Sequence, residues 1–137
     1  MYTNNRDAYR NAFFTAWQKH LKKLPLEPFE IEMVEVILMH PEYHLWLEKS
    51  DASHTEEFIL EENPFLHLGL HITIREQIKM NRPAGISEIY QSLLTKMQNV
   101  LDVEHAMMTC LANMMWQAQQ TGTAPSEADY LQKLREI

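Results

Sequence analysis

Apolar residues recur at three- and four-residue spacing along most of this chain. Between positions 6 and 23, Tyr9, Ala12, Phe13, Ala16, Trp17 and Leu21 keep that rhythm, which gathers side chains onto one face of a helix. The spacing predicts an amphipathic helix over 6–23, capped by Asn4 or Asn5 and ended by Pro25. Pro28 suits the first turn of a second helix reaching about position 39. Ile31, Val34, Ile37 and Leu38 are expected inward there, with Glu32 and Glu35 outward. Pro41 breaks the ladder, and a short helical turn over 41–48 should pack Tyr43, Trp46 and Leu47. Residues 50–62 are acidic and polar around Phe58, Ile59 and Leu60, a loop containing a short helix.

Residues 66–74 pose a conflict. Leu66, Leu68, Leu70, Ile72 and Ile74 alternate with His67, Gly69, His71 and Thr73, the period of a strand. A strand needs a partner, and nothing else in the chain reads as one. The reading is therefore a buried helix over 64–80, opened by Asn63 as cap and Pro64. The stretch 81–85 is a turn, and Ser87 is expected to cap the next helix. That helix carries Ile89, Tyr90, Leu93, Leu94, Met97 and Leu101, with a kink or restart at Asp102. A run over 103–120 carries Met107, Met108, Leu111, Met114, Met115 and Ala118, and Gly122 stops it. Ser126 with Asp129 resembles a capping box for a last helix holding Tyr130, Leu131 and Leu134. The pattern gives an all-α fold, a single-domain bundle of five to six helices over 1–137.

Composition supports this. Of 137 residues only 3 are glycine and 6 proline, too little turn chemistry for a β fold that turns about every 8–12 residues. The net charge is −7, which disfavours nucleic acid and anionic lipid, both polyanions. The basic cluster Lys19, His20, Lys22 and Lys23 reads as cations at a helix C-terminus. The single cysteine, Cys110, forms no internal disulfide and fits a reducing compartment. No basic start leads into an apolar run, and no apolar run approaches the ~20 residues that span a bilayer. A cytoplasmic protein without membrane contact is expected.

Histidine is the unusual residue, with 7 copies. His40 and His44, and His67 and His71, are spaced four apart, one helical turn, within chelating reach on a common face. At about 100° per residue, His67 and His71 share the angular sector of Ile74 and Ile78, so the pair faces the core. Glu76 falls on the opposite side. Further ligands must come from other segments, and His40, His44, Glu104 and His105 are the candidates. A divalent transition metal is one solution for inward imidazoles, assembled as in helical bundles. A polar cluster satisfied by protein partners is the other. The metalloprotease spacing is absent, since Leu68 stands where its Glu would be. His40 precedes Pro41 and cannot comfortably continue a helix to His44. Gly69 sits between the pair. Glycine inside a helix costs about 1 kcal/mol against alanine, so Gly69 is either a weak point or room for a neighbour.

The block from Asn63 through Pro64, Phe65, Leu66, His67, Leu68, Gly69, Leu70 and His71, then Arg75-Glu76-Gln77 and Arg82-Pro83-Ala84-Gly85-Ile86, resembles a family of small bacterial proteins of unknown function, mostly proteobacterial. His40 to His44, Glu104-His105, Cys110-Leu111, Trp116 with Ala118-Gln119, and Tyr130-Leu131 with Leu134 fit the same resemblance. It implies a one-domain cytoplasmic protein and assigns no activity and no catalytic residue. Two functional readings follow. The simpler is a non-catalytic interaction or assembly module, with a homo-oligomer or a protein partner held by surplus apolar residues. The other is a divalent-metal-binding bundle, with hydrolytic or oxygen-linked chemistry open to it.

Overall fold

The computed structural model describes residues 2–49 and 64–137, and every regular element among them is helical. In chain order these are α1 (Tyr2–Leu21), α2 (Pro28–Leu38), a 3-10 turn (Pro41–Tyr43), α3 (His44–Lys49), α4 (Pro64–Met80), α5 (Ile86–Met97), α6 (Val100–Thr121) and α7 (Glu127–Arg135). The all-α expectation holds, with seven α-helices among the described residues rather than five or six. The count rises because the 3-10 turn at Pro41 runs on into a helix of its own, α3. The 66–74 conflict resolves as α4, unbroken from Pro64 to Met80. The expected loop over 50–62 and the Asn63 cap lie outside the described residues.

The chain divides into two compact units, Met1–Ile72 and Thr73–Ile137, with the boundary inside α4. In the first unit, Phe13, Phe14, Ala16 and Trp17 of α1 meet Met33, Val34, Val36 and Ile37 of α2. Leu47, Phe65 and Leu68 complete that core, with Tyr43, Trp46 and Ile72 partly buried against it. Tyr9, Leu21, Ile31 and Leu38 were expected inside and are instead exposed. Phe13, Ala16, Trp17, Val34 and Ile37 are buried as expected, and Phe14, Met33 and Val36 join them on the inward face in place of the four exposed residues. The start of α2 shows why the chain breaks where it does. Glu27 and Glu30 form a reciprocal capping box ahead of α2, with Pro28 in its first turn. Lys19 Nζ donates to Glu30 Oε1 at 3.0 Å, tying α1 to that start.

In the second unit α5, α6, α7 and the end of α4 bury Ile74, Ile86, Ile89, Leu93, Val103, Met107, Met108, Met114, Tyr130 and Leu134. Ser87 is not the cap of α5. It lies inside the first turn, and its hydroxyl donates to the Ile78 carbonyl. Asn81 takes the capping role across the turn, its Oδ1 accepting from the Gly85 and Ser87 amides. The break before α6 comes at Gln98, in the left-handed region, and Asn99 caps the Asp102 amide. Leu101 therefore belongs to α6, and Asp102 lies in the first turn of that helix, so the restart alternative fits and the kink does not. Ser126 caps α7 by accepting from Asp129 N, and Gly122 ends α6, both as the pattern indicated. No helix among the described residues is long and apolar enough to cross a membrane.

Candidate metal centre

The first unit brings three imidazoles to one point. His40 follows the last turn of α2, while His67 and His71 lie one turn apart on α4. His71 is fully buried, His40 is 3% exposed, and His67 is half-buried. Nε2 of His67 stands 3.0 Å from Nε2 of His40 and 3.3 Å from Nε2 of His71. One ring nitrogen from each residue lies within 4.8 Å of the others. Two nitrogens bound to one zinc at 2.0–2.1 Å stand about 3.3 Å apart at tetrahedral corners and about 2.9 Å apart at octahedral ones. Both separations from His67 fall within that interval, and the His40 and His71 nitrogens lie within 4.8 Å of each other.

The hydrogen-bond geometry fixes one tautomer outright. His40 Nδ1 lies 2.8 Å from the Val36 carbonyl oxygen. A carbonyl only accepts, so Nδ1 carries the proton and the neutral ring presents a lone pair at Nε2. This carbonyl–imidazole arrangement is how metal-ligating histidines are oriented from behind. The remaining protons then fit poorly. One N–H on His67 Nε2 can point at His40 Nε2, but it leaves no lone pair on His67 to receive His71. If His71 Nε2 is protonated, two N–H groups oppose each other; if not, two lone pairs compete for one hydrogen. A cation facing all three nitrogens satisfies three lone pairs at once.

The surroundings are aromatic. The Tyr43 ring lies parallel to His40 at 5.5 Å and edge-on to His67 at 6.4 Å. Burial first, and then the Glu42 carboxylate, push the Tyr43 phenol above its ordinary range, so it remains a neutral hydroxyl. Tyr43 was expected only as a packing residue, and its place beside the imidazoles had no signature in the sequence. Nor had the Val36 carbonyl, since a backbone acceptor belongs to every residue type.

His44 and Glu104 are placed differently. His44 donates from Nε2 to the Ile37 carbonyl at 2.7 Å, and its ring packs on Trp17 at 4.6 Å. It stands outside the imidazole group, so the expected His40/His44 chelating pair is not formed, for the reason that Pro41 turns the chain between them. Glu104 is buried in the second unit and forms an ion pair with Arg75 Nε at 3.1 Å. Its carboxylate has the counter-charge that burial demands. His105 is half-buried on α6, also in the second unit. Gly69 proves to be room for a neighbour: a Cβ built there would lie 2.5 Å from the Tyr9 hydroxyl oxygen.

Comparison with known proteins adds one assignment. The family described as Domain of unknown function (DUF1841) matches residues 5–136. The chain belongs to this family. No curated protein and no solved structure matches it.

Proposed function

We propose that this DUF1841 protein binds a divalent transition-metal ion through Nε2 of His40, His67 and His71. The observation that carries the reading is the mutual approach of three imidazole nitrogens, two contacts of which measure 3.0 and 3.3 Å. An all-nitrogen set suits zinc, copper, nickel, cobalt or iron rather than magnesium or calcium. Three protein donors leave a position for water or another ligand, the arrangement that supports hydrolytic or oxygen-linked chemistry. His105 stands as a further donor candidate from the sequence. The chain is read as one domain, in keeping with a family match that runs over 5–136, and its placement in the cytoplasm rests on the sequence alone.

The test is metal analysis of the full chain, stripped with chelator and dialysed against zinc or cobalt. About one equivalent is expected, with most of it lost in His67→Ala and in His71→Ala, both checked for folding by circular dichroism. His105→Ala in the same assay reads whether that residue adds a donor. Sub-stoichiometric metal that the substitutions leave unchanged would sink the proposal.

A second reading has its own support. Leu24, Phe29, Ile31 and Leu38 are each about half exposed, from 46% to 55%, and exposed apolar residues of this size suit self-association. Light scattering on the full chain checks this, and a strict monomer at high concentration refutes it.

A further inference from the structure

The end of α2 holds a second imidazole that the metal reading does not use. We infer that His44 is a positioning residue for this centre, acting through the Ile37 carbonyl on His40; the inference rests on the metal reading above. Two carbonyls at the end of α2 carry the argument. Val36 O accepts from the Met39 amide at 3.1 Å and from His40 Nδ1 at 2.8 Å. Ile37 O accepts from the His40 amide at 2.9 Å and from His44 Nε2 at 2.7 Å. The backbone and the ring of His40 are thus each fixed by one of these oxygens. His44 shares the oxygen that fixes the backbone.

The chain between them is a single 3-10 turn. His40 leaves the helix at φ −128°, ψ 71°, ahead of Pro41. Its carbonyl accepts from the Tyr43 amide at 3.0 Å, closing the 3-10 turn that leads into His44. His44 therefore staples the first residue of α3 back to the end of α2 and closes the loop that presents His40. Its own ring is held by Trp17, 4.6 Å away and 3% exposed. The last carbonyls of a helix are its negative pole. Donors from two histidines there fix the pole beside His40, whose Nε2 lone pair faces His67.

The experiment uses the full chain with His44→Ala and His44→Gln. The glutamine amide can donate to Ile37 O but is no imidazole ligand. Copper or cobalt affinity is expected to fall about tenfold in His44→Ala, within the range seen for outer-layer partners of metal ligands, and to recover largely in His44→Gln. The number of nitrogen donors, read from the hyperfine pattern of bound copper, should stay at the wild-type value in both variants. One nitrogen fewer in His44→Ala would make His44 a ligand and overturn the inference. Unchanged affinity in His44→Ala, or equal loss in both variants, also overturns it. A metal-free readout separates this inference from the metal reading. In chelated protein the His40 Nδ1–H resonance should persist in wild type and His44→Gln and broaden by exchange in His44→Ala. Its persistence in His44→Ala refutes positioning even if metal binds, and its selective loss there supports positioning even if metal does not.

Discussion

Replacing Gly69 with alanine tests whether the turn between the two α4 histidines is built around Tyr9. In an open helix the substitution would stabilise by about 0.8–1.0 kcal/mol. Here the new Cβ would lie 2.5 Å from the Tyr9 hydroxyl oxygen and 3.4 Å from the carbon bearing it. The oxygen contact is impossible, so Tyr9 must move. It is 43% exposed and can swing outward. Doing so gives up an edge-on contact with Phe13, at 5.2 Å and 89°, a geometry worth about 0.5–1.5 kcal/mol. Gain and loss nearly cancel, and Gly69→Ala alone should shift stability by less than about 1 kcal/mol. In a Tyr9→Phe background the offending oxygen is gone and the ring stays in ordinary contact. The same glycine substitution should then yield its full helical gain. Urea denaturation of the two single variants and the double variant, followed by circular dichroism with chelator present, measures the coupling. It should be about 1 kcal/mol. Equal effects of Gly69→Ala in both backgrounds, within about 0.3 kcal/mol, would show that Tyr9 is not what the glycine accommodates.

Two further outcomes follow from the polar contacts. The backbone amide of Glu27 first, and Lys19 second, hold the Glu30 carboxyl below the ordinary carboxylate range. A lowered folded value means that this bond stabilises above the unfolded value of about 4.3 and is lost as the pH falls through the folded one. The stability difference between wild type and Glu30→Gln should therefore shrink on acidification below about pH 5; parallel acid-denaturation curves would contradict it. The Tyr130 hydroxyl donates to Gln77 Oε1 at 2.8 Å from a position 4% exposed, and burial above all raises its pKa. Tyr130→Phe should cost about 1–2 kcal/mol by leaving the Gln77 oxygen short of a donor. Alkaline absorbance titration should lose one late-ionising tyrosine, and an unchanged late phase would refute the assignment.

Helices were legible because their signals are local. Pro28, Ser126 and Gly122 act on neighbours within one turn, and each sits where its chemistry indicated. Which side of a helix faces inward was less legible. In α1 and α2 apolar residues ring more than one face, so Tyr9 and Ile31 competed with Phe14 and Met33 on equal terms. Only the packing between helices decides such cases. The inward direction of His67 and His71 was readable because Ile74 and Ile78 below them are flanked by charged residues. His40 stood among the candidates to join that pair, but nothing in the sequence ranked it above His44. Ser87 failed as a cap for a related reason. Asn81, six residues earlier, reached the same amides across a turn, and sequence spacing ranks a near hydroxyl above a distant amide.

The three imidazoles are held unequally, and the asymmetry comes from their supports. His40 sits on an irregular residue with φ −128° and ψ 71°, and would wander if Val36 and Ile37 did not hold its ring and its amide. His67 and His71 need no such help, because α4 fixes their separation through backbone bonds alone. A rigid pair and an independently anchored third donor define a point in space more firmly than three residues on one helix could, since donors on one helix stack along its axis. Burial grades the set as well. His71 is fully buried and His67 half-buried, so His67 is the member of the α4 pair that reaches solvent. His67 is also the nitrogen in contact with both others, at 3.0 and 3.3 Å. Losing His67 therefore removes the shared vertex and the solvent-reaching member together, whereas losing His40 leaves the helical pair intact. Binding should for that reason suffer more from His67→Ala than from His40→Ala, although His40 is the better-anchored donor.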